Sequence, residues 1–430
     1  MNISPRLEVV PTGPLTGAVA PPASKSVTNR LLLLAALADG TSVLHNPLRS
    51  DDSAAMRDVV EGLGAAVWDV DEVGHSWRVV GTGGRISPVA DVLDCRLSGT
   101  TIRFGSAVGA LADGEVTFTG AAPLRRRPIG PLTTALRDLG ATVHDARGYP
   151  PLAVGGGLDG GAVTIDVSGS SQYASAVLLA APYARADVHL GMTGIHAGAF
   201  VDLTVAAMQA WGAEVASAGP NGWTVTAGTG YQASEVTVEY DASAAAHLMA
   251  LAVSTGGHVT VTGVSDTMQP DAAMTDVFAA FGASIAAEGN RLTVTGPDRP
   301  VSPGSVDLSQ MPDQVTTVAA LAALAEGPTT IVGAEVARGH ETDRLAALAA
   351  ELGKIGVMVQ ERPDGLVVDG SQTTGGATLD TYDDHRLAMA FASIGSRLPG
   401  VVIDQPGCVA KTFPDFWKEL VRLGGEVRRA

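Results

Sequence analysis

Ser24, Lys25, Ser26 and Arg30 crowd the start of one apolar helical stretch, SKSVTNRLLLLAAL. A helix N-terminus offers free N–H groups and partial positive charge, so two hydroxyls and two cations there suit a phosphate. Arg30 stands four residues beyond Ser26 and shares its helix face. An ordinary serine cap with exposed basic neighbours fits the same residues, and the stretch alone leaves both readings open. SGTTIRF (98–104) repeats the arrangement with Gly99, Thr100 and Arg103, and Gly99 lets backbone approach a ligand closely. APLRRRPIG (122–130) adds Arg125, Arg126 and Arg127 before a proline able to open a helix. Three consecutive arginines cannot all face one pocket, and Arg126 is the one expected in solvent. SGSSQY (168–173) is a Ser-rich helix start with Ser170, Ser171 and Gln172. GHETDRL (339–345) gathers His340, Glu341, Asp343 and Arg344; YDDHRLAM (382–389) gathers Asp383, Asp384, His385 and Arg386; CVAKTFPDF (408–416) carries Lys411. Asp313 heads DQVTTVAALAALAE (313–326), which reads as an amphipathic helix with Asp313 as its N-cap.

These heads recur evenly. Ser24, Ser98, Ser170, Asp241, Asp313 and Asp384 each open a helical stretch, at separations of 74, 72, 71, 72 and 71 residues. A second series, Gly64, Gly140, Gly212, Gly282, Gly356 and Gly424, comes after predicted helices at separations of 76, 72, 70, 74 and 68. Each of these glycines suits the left-handed residue that closes a helix, and an apolar residue after it starts a strand. Short Val/Thr/Ile segments such as GEVTFTG, GHVTVTG and GVVID lie between the helices. The period implies six α/β units of about 72 residues, which a chain of this size would divide into two domains of three. The boundary is expected near 228–240. If the six first helices point inward to one cleft, they form an anion trap.

Composition narrows the partners. There are 28 basic against 45 acidic residues, net −17, which disfavours nucleic acid and anionic membrane surfaces. Of the basic residues only Lys25, Lys354, Lys411 and Lys418 are lysines. Two cysteines exclude a disulfide framework and a Cys-based zinc site. The N-terminus lacks the features of a secretory signal, and LLLLAALA (31–38) is too short to span a membrane, so a reducing, cytoplasmic setting is expected. No P-loop, dinucleotide fingerprint, nucleophile elbow or H-E-x-x-H is present, so no cofactor and no metal is expected.

PPASKSVTNR, LSGTTIR, LRRRPIG, SGSSQY, GHETDRLAAL, TYDDHRLAMAF and AKTFPDFW together resemble the signature stretches of the 5-enolpyruvylshikimate-3-phosphate synthase family, in its order and across essentially the whole chain. His340 makes the set similar to actinobacterial members. The resemblance implies an α/β fold of two domains forming an inside-out barrel, each of three βαβαββ units. Residues 22–233 would be one domain and 1–21 plus 234–430 the other, with the N-terminal strands in the second domain and the active site in the cleft between them. It implies transfer of the enolpyruvyl group of phosphoenolpyruvate to the 5-hydroxyl of shikimate 3-phosphate; a monomer is expected by default. It carries Lys25, Ser26, Arg30, Ser170, Ser171, Gln172, Asp313 and His340 onto shikimate 3-phosphate. Lys25, Gly99, Arg125, Gln172, Arg344, Arg386 and Lys411 are carried onto phosphoenolpyruvate, and Asp313, Glu341 and Lys25 onto catalysis. Asp313 would take the hydroxyl proton and Glu341 protonate the methylene carbon.

Leu97, Ala197, Phe200 and Val336 depart from residues common in the family, which bears on shikimate 3-phosphate binding. Gly99 suggests sensitivity to glyphosate, while Phe104 stands where many relatives have Pro. Two other functions compete: a sister transferase acting on UDP-N-acetylglucosamine, and a non-catalytic relative that binds shikimate-type anions. Lys25-Ser26 in place of Lys-Asn, and no Cys in the 122–128 loop, argue against the first. Asp313, Glu341 and Lys25 argue against the second.

Overall fold

Val/Thr/Ile segments become strands because β-branched side chains fit a pleated surface; Ala/Leu runs become helices because they lose little conformational freedom there. The computed structural model describes residues 4–70, 75–194 and 198–430. Among these the named strands form six four-stranded sheets with one common pattern. Gly161–Asp166 pairs parallel with Val188–Thr193, which pairs antiparallel with Gly222–Val225, which pairs antiparallel with Val215–Ser217. A parallel pair needs a crossover, and the helix Gln172–Ala180 supplies it here. A second helix, Ala199–Ala210, precedes the antiparallel pair. The 72-residue period is thus a βαβαββ unit. Gly64, Gly140, Gly212, Gly282, Gly356 and Gly424 all have φ between +83° and +109°, the conformation that turns the second helix into its strand.

The chain divides into two compact units, Ala23–Val238 and the chain up to Pro22 together with Glu239–Ala430. The boundaries expected after 21 and after 233 therefore move to 22 and 238. Residues 234–238 stay with the first unit because Glu235–Thr237 pairs parallel with Thr41–His45 and completes its sheet. In the second unit Arg6–Val10 lies between Val401–Asp404 and Glu426–Arg429, and Thr16–Val19 pairs with His258–Thr262. The N-terminal strands thus complete two sheets whose other strands lie more than 200 residues away.

Each unit has its own apolar core. The first helix of each repeat lies inside it. All eleven residues of Gly99–Gly109 and all eight of Val315–Ala322 are buried, the polar ones such as Arg103 and Thr317 included. This corrects the amphipathic helix expected over 313–326. The helix is shorter and has no solvent face, because Ala242–Thr255, Val315–Ala322 and His385–Gly395 pack against one another. The second helices, such as Arg344–Lys354, keep one exposed side.

Candidate active site

In the first unit the helix heads are capped by the residues that open them. Ser24 Oγ accepts from Val27 N at 3.3 Å, Ser98 Oγ from Thr101 N at 3.2 Å, and Ser170 Oγ from Gln172 N at 3.2 Å. Ser171 stands at the N-cap position of Gln172–Ala180 without a side-chain cap bond. Lys25 is the first residue of its helix, and its Nζ lies 3.8 Å from the Asp52 carboxylate. Arg30 is buried. Its Nε donates to Thr204 Oγ1 at 2.8 Å, Nη1 to Ser26 O at 2.9 Å and Nη2 to Phe200 O at 3.0 Å, and the guanidinium lies over the Phe104 ring. Burial of the cation lowers its pKa to about 10. Phe104 therefore serves Arg30 as a ring face. Phe200 serves it through a backbone oxygen, a contact that does not depend on the side chain present there.

Gly99 is the first residue of the Gly99–Gly109 helix. A Cβ placed on it would lie 2.7 Å from Arg127 Nη1 and 3.1 Å from Arg103 Nη1, so two guanidinium groups crowd this helix start. Arg103 Nη1 also donates to Gln172 Oε1 at 2.7 Å, and its guanidinium lies over the Tyr173 ring. Arg127, rather than Arg125, therefore lies beside Gly99; Arg125 ends the short helix Ala122–Arg125 and is exposed. Arg127 is carried inward by the residues after it: Ile129 is buried and Tyr173 Oη donates to Pro128 O at 2.8 Å. Arg126 is exposed, as expected. Within the run the three arginines are equivalent, and only the burial of Ile129 two places on separates Arg127 from the others. Of the departing positions, Leu97 is 40% exposed and Val336 is half-buried in the turn Glu335–Gly339. Ala197 lies outside the described residues.

In the second unit the expected charged residues come together on Arg344. This guanidinium is buried and spans three carboxylates. Nη1 donates to Asp313 Oδ1 at 2.7 Å, Nη2 to Glu341 Oε2 at 2.9 Å, and Nε to Asp384 Oδ2 at 2.7 Å. Asp313 Oδ2 accepts from Arg386 Nη2 at 2.9 Å, and Glu341 Oε1 accepts from Lys411 Nζ. All but Lys411, which ends the turn Pro406–Lys411, come from three helix heads. Asp343 caps Arg344–Lys354 through Leu345 N and Ala346 N, Asp384 caps His385–Gly395 through Arg386 N, and Asp313 sits in the single turn Pro312–Gln314 before Val315–Ala322. Asp313 is thus not the N-cap expected from sequence. That position is held by Gln314, which makes no side-chain cap bond, because both Asp313 oxygens are engaged by arginines.

Burial alone would raise the Asp313 pKa. The charges of Arg386 and Arg344 outweigh it and hold the carboxyl well below its usual range. Burial, with Arg344 adding to it, lowers the His340 pKa, so the imidazole is neutral. Its Nδ1 lies 2.8 Å from Arg344 Nη1 and 3.2 Å from Asp313 Oδ1. Arginine can only donate, so Nδ1 accepts, the proton sits on Nε2, and the approach to Asp313 is not a hydrogen bond. The cluster then balances: Asp313, Glu341 and Asp384 against Arg344, Arg386 and Lys411. Beneath it, Gln314 Nε2 donates to the buried Asp271 Oδ1 and Thr317 Oγ1 donates to Gln314 Oε1 at 2.8 Å. Asp271, whose pKa burial raises, had no motif to mark it.

The two units thus each present a cluster of charge at helix heads: cations and hydroxyls in the first, cations interleaved with carboxylates in the second. Such groups can hold anions and move protons beside them. The family described as EPSP synthase (3-phosphoshikimate 1-carboxyvinyltransferase) matches residues 9–420. A 3-phosphoshikimate 1-carboxyvinyltransferase of Pseudomonas savastanoi pv. phaseolicola is 41% identical over 426 residues, 97% of each chain. One of Rhizobium etli is 40% identical over 436 residues, 99% of this chain and 98% of that one. In fold, the chain is similar to the solved EPSP synthase of Acinetobacter baumannii, with TM-score 0.79, 24% identity and coverage of 98% and 99%. It is as similar to the enolpyruvyl transferase NikO of Streptomyces tendae, with TM-score 0.79, 20% identity and coverage of 99% and 98%. By the family match and by these full-length relatives, the chain belongs to the EPSP synthase family.

Proposed function

We propose that this protein transfers the enolpyruvyl group of phosphoenolpyruvate to the 5-hydroxyl of shikimate 3-phosphate and releases phosphate. The observation that carries the reading is that one buried guanidinium, Arg344, ties Asp313 and Glu341 to a common centre, with Arg386 and Lys411 on their far sides. A base and an acid are held there among cations, which is what adding a hydroxyl across an anionic enol requires.

In the first step the 5-oxygen gives its proton to Asp313 and bonds to C2 of phosphoenolpyruvate, while C3 takes a proton from Glu341 and becomes a methyl group. In the second, a methyl proton returns to a carboxylate, the C2–C3 double bond re-forms and the C2–O bond to phosphate breaks. Asp313 suits the first role because its low pKa keeps it ionised. Glu341 suits the second because an anion arriving on Arg344 and Lys411 competes for both its partners, which favours its protonated form. Arg344, Arg386 and Lys411, with Gly99 and Arg127 of the first unit, are read as the phosphoenolpyruvate contacts. Lys25, Ser26, Arg30, Ser170, Ser171 and Gln172 are read as the shikimate 3-phosphate side, with His340 beside Asp313. We read the protein as a cytoplasmic monomer, since both substrates are small diffusible anions; sedimentation at micromolar concentration checks the monomer.

The test is phosphate release from phosphoenolpyruvate with each acceptor. Release is expected with shikimate 3-phosphate and not with UDP-N-acetylglucosamine; the reverse pattern overturns the assignment.

A further inference from the structure

We propose that Glu351 is a positioning residue for this reaction: its buried carboxylate holds the loop that delivers Asp384 and Arg386 to Arg344. Glu351 lies seven residues beyond Arg344, two turns along the same helix and on the same face. It is fully buried, yet its contacts lie mainly outside its own helix. Its Oε2 accepts from Asp380 N at 2.8 Å and its Oε1 from Tyr382 Oη at 2.8 Å, with Lys354 Nζ at 2.5 Å from Oε2.

The loop it holds is strained. Tyr382 has φ +51° and Asp383 φ +58°, two successive residues with a Cβ in the left-handed region. Local bonds brace the turn from within: Tyr382 N donates to Asp380 Oδ1 at 2.7 Å and Asp384 N to Thr381 O at 2.8 Å. The reversal brings Asp384 back over the helix that carries Glu351, where it meets Arg344 Nε and accepts from Arg386 N. Two helices are therefore tied twice, through Arg344–Asp384 at the reacting end and through Glu351 and the 380–382 backbone behind it. Without the second tie, only the local bonds of the turn and the Arg344–Asp384 pair oppose relaxation of the left-handed residues, and Asp384 and Arg386 shift with it.

The inference rests on the reading of Arg344 and Arg386 as phosphoenolpyruvate contacts, so the experiment includes Arg386→Ala as a separate arm. Tyr382→Phe removes one bond to the carboxylate at a residue that is 40% exposed, so the fold is kept. It should raise KM for phosphoenolpyruvate roughly tenfold, the loss expected from one hydrogen bond to a charged group. KM for shikimate 3-phosphate should stay within about twofold, below what one lost hydrogen bond costs. Glu351→Gln should act in the same direction, because the amide keeps one acceptor oxygen where the carboxylate accepts from both Asp380 N and Tyr382 Oη, and it removes the charge that strengthens both bonds. Adding Asp383→Gly to Tyr382→Phe should restore most of the loss, since glycine adopts the left-handed turn without the clamp. An unchanged KM for phosphoenolpyruvate in Tyr382→Phe, a parallel rise in both KM values, or no rescue by Asp383→Gly overturns the proposal. If Glu351→Gln does not fold, Tyr382→Phe and its rescue decide it. If Arg386→Ala leaves KM for phosphoenolpyruvate unchanged, the reading of the site falls first; if it raises KM while Tyr382→Phe does not, only the positioning role falls.

Discussion

Replacing Asp313 with Asn should separate binding from turnover. The carboxylate accepts one bond from Arg344 and one from Arg386, and it balances a cluster of three anions and three cations. Asn keeps the volume and one acceptor but removes the charge, leaving the cluster one positive charge in excess. For an anionic ligand centred roughly 8 Å away, one unit charge at an effective dielectric of about 20 is worth about 2 kcal/mol. Solvent at the partly exposed site reduces this, so phosphoenolpyruvate should bind about tenfold more tightly. The same change removes the proposed proton acceptor, and kcat should fall by about 10²- to 10⁴-fold. Stability should drop only moderately, because Arg344 retains Glu341 and Asp384. One lost bond to a charged group costs about 1.5–3 kcal/mol, or roughly 3–12 °C in Tm for a unit of about 200 residues. Equilibrium titration with phosphoenolpyruvate and single-turnover kinetics with both substrates read the two effects independently. A kcat within tenfold of the parent would remove Asp313 from proton transfer, and weaker binding would show that the cluster's charge does not govern anion affinity.

The assignment of Arg127 over Arg125 is tested by alanine at each: Arg127→Ala should raise KM for phosphoenolpyruvate by more than about tenfold, the value of one charged contact, and Arg125→Ala should leave it within about twofold. Equal effects would refute the placement. Gly99→Ala would put a methyl group 2.7 Å from Arg127 Nη1 and 3.1 Å from Arg103 Nη1, both ends of flexible side chains. It should fold normally by thermal scan and show a KM for phosphoenolpyruvate about tenfold higher, again one displaced charged contact; an unchanged KM would mean that neither guanidinium meets the substrate. Asp313 also predicts a pH dependence. Its folded pKa is depressed, so its contribution to stability is complete above the ordinary carboxylate value of about 4 and is lost as pH falls through the lower folded value. The stability gap between the parent and Asp313→Asn should be flat from pH 8 to about 5 and narrow below about 4 in denaturant titrations. A gap that closes between pH 7 and 5 would contradict the assigned ionisation.

Much of the architecture was legible because it is written in local rules repeated six times. A helix head needs a cap, a helix end needs a left-handed residue, and both recur near every 72 residues at Ser24, Gly64 and their counterparts. The same heads marked Lys25, Arg30 and Arg386, since cations at helix starts are conspicuous in a chain of net charge −17, while Arg344 and Lys411 stood out in the stretches GHETDRL and CVAKTFPDF.

What sequence could not settle were choices made by contacts between distant segments. Asp313 scans as a cap because its neighbours are helical, but two arginines 31 and 73 residues away claim its oxygens. Arg125 and Arg127 are equivalent in a run of three, until Ile129 is buried and Pro128 is fixed by Tyr173. Residues 234–238 read as the start of a new domain, yet their backbone is hydrogen-bonded to a strand nearly 200 positions earlier. Glu351 resembles any acid on an amphipathic helix, and only the packed loop at Tyr382 gives it partners. The sequence by itself determined the period, the helix heads and the inventory of charges, because these depend on residues within a few turns of one another. Which carboxylate meets which guanidinium was decided only by tertiary structure, because hydrogen bonds to buried charges are allotted by geometry across the fold.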